Sequence, residues 1–291
     1  MNPPAADCIM SENLRIGSIM NEIEAFLKED IGTEDVTTNA IVPADHISEA
    51  VVHAKAAGVV AGHPFAAEVF NILDQGIVYE VRKEDGTYVR EGDLLATIRG
   101  RTRAILTGER VALNILQRLS GIATSTRAFV EAVAGTGVKI LDTRKTAPGL
   151  RAMEKYAVRM GGGYNHRRTL GEMALIKENH ISAAGSIKEA VRRVRERAQI
   201  PIEVEVRNME ELREAMGERV SRIMLDNWNA PSVREAVALV NGTVPLAVSG
   251  NMDIEKTREV AALGVDFISV GALTHSFKSL DMSLLFKGGD V

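Results

Sequence analysis

The sequence predicts an α/β protein in two parts, a β-rich N-terminal region followed by a run of β/α units. Three observations carry that expectation. Hydrophobic residues make up 45% and charged residues 25% of the 291 residues, the proportions of a globular chain rather than a disordered one. From about Val51 to Leu106, short apolar runs alternate with turn signals. From Val138 onward the pattern becomes strand, loop, helix, and six such strands can be read. At roughly 150 residues per domain, the length allows two domains or one large α/β domain with an appendage.

Taken in order, Ile19–Asp30 carries Ile19, Ile23, Phe26 and Leu27 at the spacing of one helical face. The segments VVHAKAAGVVAG and IVYEVRKEDGTYVREGDLLATIRG then read as short strands, with Asp85-Gly86 and Glu91-Gly92-Asp93 as turns. The second segment is similar to the sandwich of biotinyl and lipoyl carriers. It has no lysine at a hairpin tip in a Met-Lys-Met-like context, so a plain β-rich scaffold is expected. Gly108–Val133 is a long helical pattern in which Gly121 is expected to make a break.

The six strands are expected at Val138–Asp142, Met173–Lys177, Ile202–Val206, Arg222–Asp226, Val244–Val248 and Phe267–Val270. Ser186 with Glu189 and Ser232 with Glu235 are capping boxes, Asn208 with Glu211 is a weaker one, and Asp253 can cap Ile254–Leu263. Such units need parallel strands with right-handed crossovers. Closed, they form a TIM-like barrel; open, a doubly wound sheet. No GxGxxG follows the first strand, which weighs against dinucleotide binding.

Composition removes several function classes. A formal net charge of −4 and the lack of a basic tail disfavour nucleic acid as a partner. The longest uncharged stretch, Ala236–Met252, contains Asn241, Gly242, Pro245 and Gly250, so no membrane span is expected. The start, MNPPAADCIM, lacks the basic and apolar regions of a signal peptide. With the single cysteine, Cys8, unable to form an internal disulfide, a soluble cytoplasmic protein is expected.

The informative residues stand where the strands end. They are Asp142-Thr143-Arg144-Lys145, Lys177-Glu178-Asn179-His180, Glu205, Asp226-Asn227, Ser249-Gly250-Asn251 and Gly271-Ala272. In a parallel barrel these ends converge on the face that carries chemistry. Between Asp142 and His180 there are eight Lys/Arg against four acids, with His166 and His180 in addition. That focus suits a polyanionic small molecule held by Arg forks and Lys point charges. Arg151, Lys155 and Arg159 recur at helical spacing and are expected on a solvated helix face. The Ser249–Asn251 and Gly271-Ala272 segments can offer backbone N–H groups to a phosphate. Glu205 and Asp226 can hold a ribose diol, coordinate Mg²⁺ or stabilise a developing positive charge. Together these groups suggest a phosphorylated sugar reacting with an anionic acceptor.

The segments KILDTRKTAPGLRAMEKYAVRMGGGYNHRRTLGEMALIKENH, EVEV, IMLDN, AVSGNM and FISVGALTHS resemble the quinolinate phosphoribosyltransferase family. EDIGTEDVTT and GERVALNILQRLSGIAT match the same family, and the resemblance covers about residues 24 to 280. It implies an incomplete TIM-like α/β barrel over residues 114–280. An N-terminal α/β sandwich domain, residues 1–113, would be joined by the tail 281–291. It implies the joining of quinolinate to phosphoribosyl pyrophosphate, with release of pyrophosphate and CO₂ and formation of nicotinate mononucleotide. Mg²⁺ and a homodimer, in some members a hexamer, are implied as well.

Carried over by the resemblance, Arg110 reaches the quinolinate carboxylates from the partner subunit. Arg144, His166 and Arg167, with Thr143 beside them, match the dicarboxylate pocket. Lys145 and Lys177 match lysines at the pocket and the pyrophosphate. Glu205 and Asp226 match acids near ribose and metal. Ser249, Gly250 and Asn251 with Val270, Gly271 and Ala272 match the 5′-phosphate cradle. Three rivals are a paralogue of the same fold, such as one acting on a monocarboxylate, a Schiff-base lyase using Lys145 or Lys177, and a non-catalytic binding module, which the strand-end pattern disfavours. His46, His53 and His63 are expected to be structural or surface residues, and His275 to stand behind the last phosphate loop.

Overall fold

The computed structural model describes residues 16–287; Cys8 and the end of the expected C-terminal tail lie outside that range. The elements run α1 (Ile16–Ile31), α2 (Val36–Ile41), β1 (Ile47–Ala54), β2 (Gly58–Val59), α3 (His63–Leu73), β3 (Val78–Val81), β4 (Tyr88–Val89) and β5 (Leu94–Arg101). They continue with α4 (Thr102–Ala132), β6 (Lys139–Leu141), α5 (Arg151–Met160), β7 (Ala174–Ile176), α6 (Glu178–Ala184), α7 (Ile187–Arg197), β8 (Ile202–Val206) and α8 (Met209–Gly217). The last are β9 (Arg222–Asp226), α9 (Ala230–Val240), β10 (Leu246–Ser249), α10 (Ile254–Ala261), β11 (Phe267–Ser269), α11 (Ala272–His275) and β12 (Met282–Phe286).

The chain divides into two compact units. The first runs to Arg127 and takes in Pro148–Gly162 and the chain from Phe277; the second comprises Ala128–Ala147 and Gly163–Ser276. A boundary at 113/114 therefore falls inside α4, and α5 sits with the N-terminal unit although it lies between the first two barrel strands in sequence.

In the first unit an antiparallel sheet has the order β12-β1-β5-β3, with Val52 opposite Leu284. The strand-only expectation for Val51–Leu106 is corrected by α3. Pro64 occupies its first turn, where a missing N–H costs nothing, and Phe65, Ala66, Val69 and Phe70 form its buried face. Its cap comes from a distant turn, the Asp85 carboxylate accepting Gly62 N–H at 2.9 Å. No local capping signal precedes it.

The expected break at Gly121 is also corrected, because α4 runs through it as one 31-residue helix. A Cβ on Gly121 would stand 2.4 Å from the Lys278 carbonyl oxygen. The glycine lets a second backbone cross the helix at close range, which is a different use from a kink. The solvated face expected for Arg151, Lys155 and Arg159 is wrong as well. Lys155 is 2% exposed and Glu154 is fully buried, while Arg151 and Arg159 are half-buried. The helix packs near α4, where Arg118 Nη2 lies 2.5 Å from Glu154 Oε1. Helical spacing of charges reports a helix and leaves open whether its face is wet.

In the second unit six parallel strands have the order β6-β11-β10-β9-β8-β7. The first strand in sequence lies beside the last, which is the arrangement of a barrel with one seam left open, not of a doubly wound sheet. At that seam Tyr164 forms a parallel bridge with Leu141, and its N–H donates to the Ile140 carbonyl at 2.8 Å. The segment leading into His166 and Arg167 is thereby laid along the β6 edge.

Helix starts follow the sequence signals at three places. Ser186 accepts from Glu189 N–H, Asn208 from Glu210 and Glu211 N–H, and Asp253 from Lys256 N–H. Ser232 is not a cap. Asn229 caps α9 and receives the Ser232 N–H, because Pro231 fits the first turn and lets the helix begin earlier. Among the described residues no helix is long and apolar enough to cross a membrane.

Candidate active site

A cavity of about 670 Å³ opens at the C-terminal ends of the second unit's strands. It is lined by Thr143, Arg144, Lys145, His166, Arg167 and Lys177 on one side, and by Glu205, Asp226, Ser249, Gly250, Asn251, Gly271 and Ala272 on the other. Most strand-end candidates named from sequence meet here; Asp142, Glu178, Asn179, His180 and Val270 do not line the cavity, nor does Arg110. Val270 is 1% exposed and is not among the lining residues. Arg110 is exposed on α4 in the first unit.

The cationic side is held in place by backbone. Asp142, fully buried at the end of β6, accepts the His166 N–H at 2.8 Å and an Asn165 side-chain N–H at 2.5 Å. Arg167 Nη1 donates to the Met173 carbonyl at 2.8 Å. Yet Arg144 Nε and Arg167 Nε are both buried with no hydrogen-bond partner among the described residues. Burial pushes Arg167 below the usual arginine value, the Arg144 charge pushes it further, and Glu203 opposes both. Two neighbouring guanidinium groups with unmet donors are a costly arrangement that an anion with planar oxygens relieves.

The opposite side holds Glu205 and Asp226 on adjacent strands. Lys177 Nζ lies 2.9 Å from Glu205 Oε2, and Asn227 Nδ2 donates to Asp226 Oδ2 at 2.8 Å. No cluster of three or more His, Cys, Asp or Glu side chains suited to a metal occurs among the described residues. Glu205 and Asp226 offer two carboxylates to the cavity, oxygen donors of the kind that suit a hard cation carried by a phosphate group.

Beyond β10 the chain turns sharply. Gly250 has φ +110, and a Cβ there would fall 2.2 Å from Asn227 Oδ1, while Asn227 and Asn251 take φ values of 60 and 47. Only glycine accepts that conformation without a clash. Lys256 Nζ donates to the Gly250 carbonyl at 2.8 Å and pins the turn from α10. At Gly271 the missing Cβ leaves room for Lys145 Cδ at 3.0 Å and His275 Nε2 at 3.1 Å.

Two domain models describe nearly the whole chain: the N-terminal domain of quinolinate phosphoribosyl transferase over residues 35–120, and its C-terminal domain over residues 122–285. The chain belongs to the quinolinate phosphoribosyltransferase family. It is 45% identical over 258 residues to nicotinate-nucleotide pyrophosphorylase (carboxylating) of Mycobacterium leprae, covering 86% of this chain and 90% of that one. The chloroplastic enzyme of the same name from Arabidopsis thaliana is 43% identical over 283 residues, covering 90% and 81%. The solved NadC from Streptococcus pyogenes superposes with a TM-score of 0.90 at 41% identity, covering 95% of this chain and 99% of that one. Human nicotinic acid phosphoribosyltransferase, at 11% identity and a TM-score of 0.59, shares the fold alone.

For this family member, the pocket also contains residues that the strand-end reading leaves out. Leu175, Met224, Met252 and Ser269 line it, and the Ser269 hydroxyl is buried without a hydrogen-bond partner among the described residues. Asn227, already a strand-end candidate, lines it, and so does His275, expected only behind the Gly271 turn; His275 Nδ1 lies 2.7 Å from Ser276 Oγ. His180 does not line it; its Nδ1 accepts the Lys177 N–H at 3.0 Å, so it secures the start of α6. Glu203 is the largest omission. It is fully buried one pleat repeat below Glu205, and its Oε2 lies 2.6 Å from His166 Nε2. An acid in the middle of a barrel strand, where a parallel sheet normally runs apolar, is the signal that could have found it.

Proposed function

We propose that this pocket carries the family reaction: quinolinate attacks C1 of phosphoribosyl pyrophosphate, and pyrophosphate and CO₂ depart to leave nicotinate mononucleotide. The pair of unmet Arg144 and Arg167 donors carries the reading, because it matches an acceptor with two carboxylates better than one with a single carboxylate. His166 and Thr143 line the same side. The Gly250 and Gly271 turns supply the narrow backbone cradle that a 5′-phosphate requires.

The C1–O bond loosens as quinolinate nitrogen approaches, and the ribosyl centre takes on oxocarbenium character. Glu205 and Asp226 stabilise that charge, while Lys145 and Lys177 receive the charge that grows on the leaving group. Lys177 is already paired with Glu205. Arriving pyrophosphate competes for that lysine and frees the carboxylate for the sugar. Mg²⁺, when bound on the pyrophosphate and touching Glu205 or Asp226, would neutralise its charge. After the N–C1 bond forms, the C2–CO₂ bond breaks, its electron pair stays on C2 stabilised by the adjacent positive ring nitrogen, and a proton then takes the place of CO₂.

Arg110 stands outside the strand-end pocket and on an exposed face of α4, which supports its use by a second copy in a homodimer. The lone cysteine supports a cytoplasmic site of action. Turnover with phosphoribosyl pyrophosphate and Mg²⁺, offering quinolinate and nicotinate separately, tests the reaction; one CO₂ per nucleotide from quinolinate alone is expected. Turnover with nicotinate alone would move the chain to another acceptor. Omitting Mg²⁺ should abolish or strongly slow turnover. For the shared site, mixing Arg110→Ala with Lys145→Ala protein should restore activity through one intact site per hybrid dimer. Exchanged subunits without recovery would defeat the trans arrangement.

A further inference from the structure

Glu203 touches no cavity surface, yet it sits among the groups that grip the acceptor. It is fully buried on β8, with Leu175 of β7 on one side and Arg222 of β9 on the other in the ladder. Its Oε2 is 2.6 Å from His166 Nε2, and Arg222 Nε is 3.4 Å from its Oε1. Arg222 is itself fixed, its guanidinium lying 4.5 Å from the centre of the Phe267 ring. The carboxylate thus lies between two groups: Oε2 meets the histidine, while Oε1 has an ion-pair contact with Arg222 and no hydrogen bond among the described residues. A group buried this deeply with one oxygen committed to a ligand-lining imidazole has a use beyond filling space, since an apolar residue would fill that space at less cost.

We infer that Glu203 is a positioning residue for quinolinate, acting through His166. This rests on the acceptor reading of the pocket given above. Glu203 accepts the Nε2–H of His166, which fixes the ring's tautomer and its rotation about Cβ–Cγ. His166 N–H is tied to Asp142 and its ring to Glu203, so the residue is held at both ends. Glu203 on β8 meets the imidazole, Asp142 after β6 holds the main-chain N–H, Arg144 and Arg167 line the same cavity, and Arg222 contacts Glu203. The role is orientation, in the manner of a carboxylate behind a working histidine.

The test is a double-mutant cycle with Glu203→Gln and His166→Asn, read as the KM for each substrate separately. Glu203→Gln should raise the KM for quinolinate on the order of tenfold and leave the KM for phosphoribosyl pyrophosphate within about twofold. Glu203→Gln added to His166→Asn should cost little beyond His166→Asn alone, because the path through the histidine is already gone. Multiplying losses, or equal rises in both KM values, would show a general structural part and overturn the inference. An unchanged quinolinate KM in His166→Asn would instead defeat the pocket reading itself, which keeps the two failures apart. Should Glu203→Gln not fold, ¹⁵N-histidine spectra of the unmodified protein still decide. A His166 resonance protonated at Nε2 with a strongly hydrogen-bonded proton is expected, and an Nδ1–H tautomer would overturn the proposal.

Discussion

Two polar clusters, one in each unit, are built from similar groups and end in opposite states. Around Asp85 every group is answered. Its carboxylate takes Tyr156 O–H at 2.6 Å and Gly62 N–H, His63 Nδ1 meets Tyr79 O–H at 2.7 Å, and His63 Nε2 donates to the Lys83 carbonyl at 3.0 Å. Burial keeps His63 below its ordinary value and pushes both tyrosines well above theirs, so all three rings stay neutral. Around Arg144 and Arg167 two like charges are crowded together with buried donors left unmet. A satisfied network holds a fold together; an unsatisfied charged one waits for a ligand.

The largest effect that could break this contrast belongs to the arginine cluster. Arg144→Lys replaces a planar fork with a point charge and should lower kcat/KM for quinolinate on the order of 100-fold, with thermal stability retained. A variant that melts earlier but turns over normally would mean that the arginine pair is structural after all. Next comes Asp85→Asn, which weakens the cap on α3 and the Tyr156 bond. It should cost about 1–3 kcal/mol of unfolding free energy by denaturant titration, with turnover per folded molecule unchanged.

The smallest effect is one of pH. Since the fold lowers the His63 pKa, the unfolded chain takes up this proton first as pH drops. The His63 contribution is therefore intact above about 6.5 and is lost as pH falls from there through the lower folded value. Thermal melts at about pH 7 and pH 5.5 should show a larger drop in the unaltered chain than in His63→Gln. Equal drops would remove His63 from the satisfied network.

Much of the second unit was readable because its signals are local. Strands β8 and β9 lie at the predicted residues, and β6, β7, β10 and β11 differ only at their ends. The turn residues and caps that bring Thr143, Arg144, Lys177, Glu205 and Asp226 to one edge each act within a few residues. What escaped the sequence depends on distant partners. The cap on α3 comes from Asp85, the need for Gly121 comes from Lys278 and Ser279, and the burial of α5 comes from its place in the other unit. Glu203 escaped because strand-end logic looks at the rim, whereas this acid lies one layer beneath it.

The pairing of β6 with β11 sets the order in which the molecule can be made. Lys139 must find Phe267, far along the chain, before the last ladder can zip. During synthesis the Arg144 and Arg167 part of the pocket emerges early, and the turn at Gly271 emerges near the end. Until then β6 and β10 each present an open edge that any extended chain can join. Chains cut short before Phe267 should thus be drawn into aggregates, and a growing chain gains most from a chaperone during that interval.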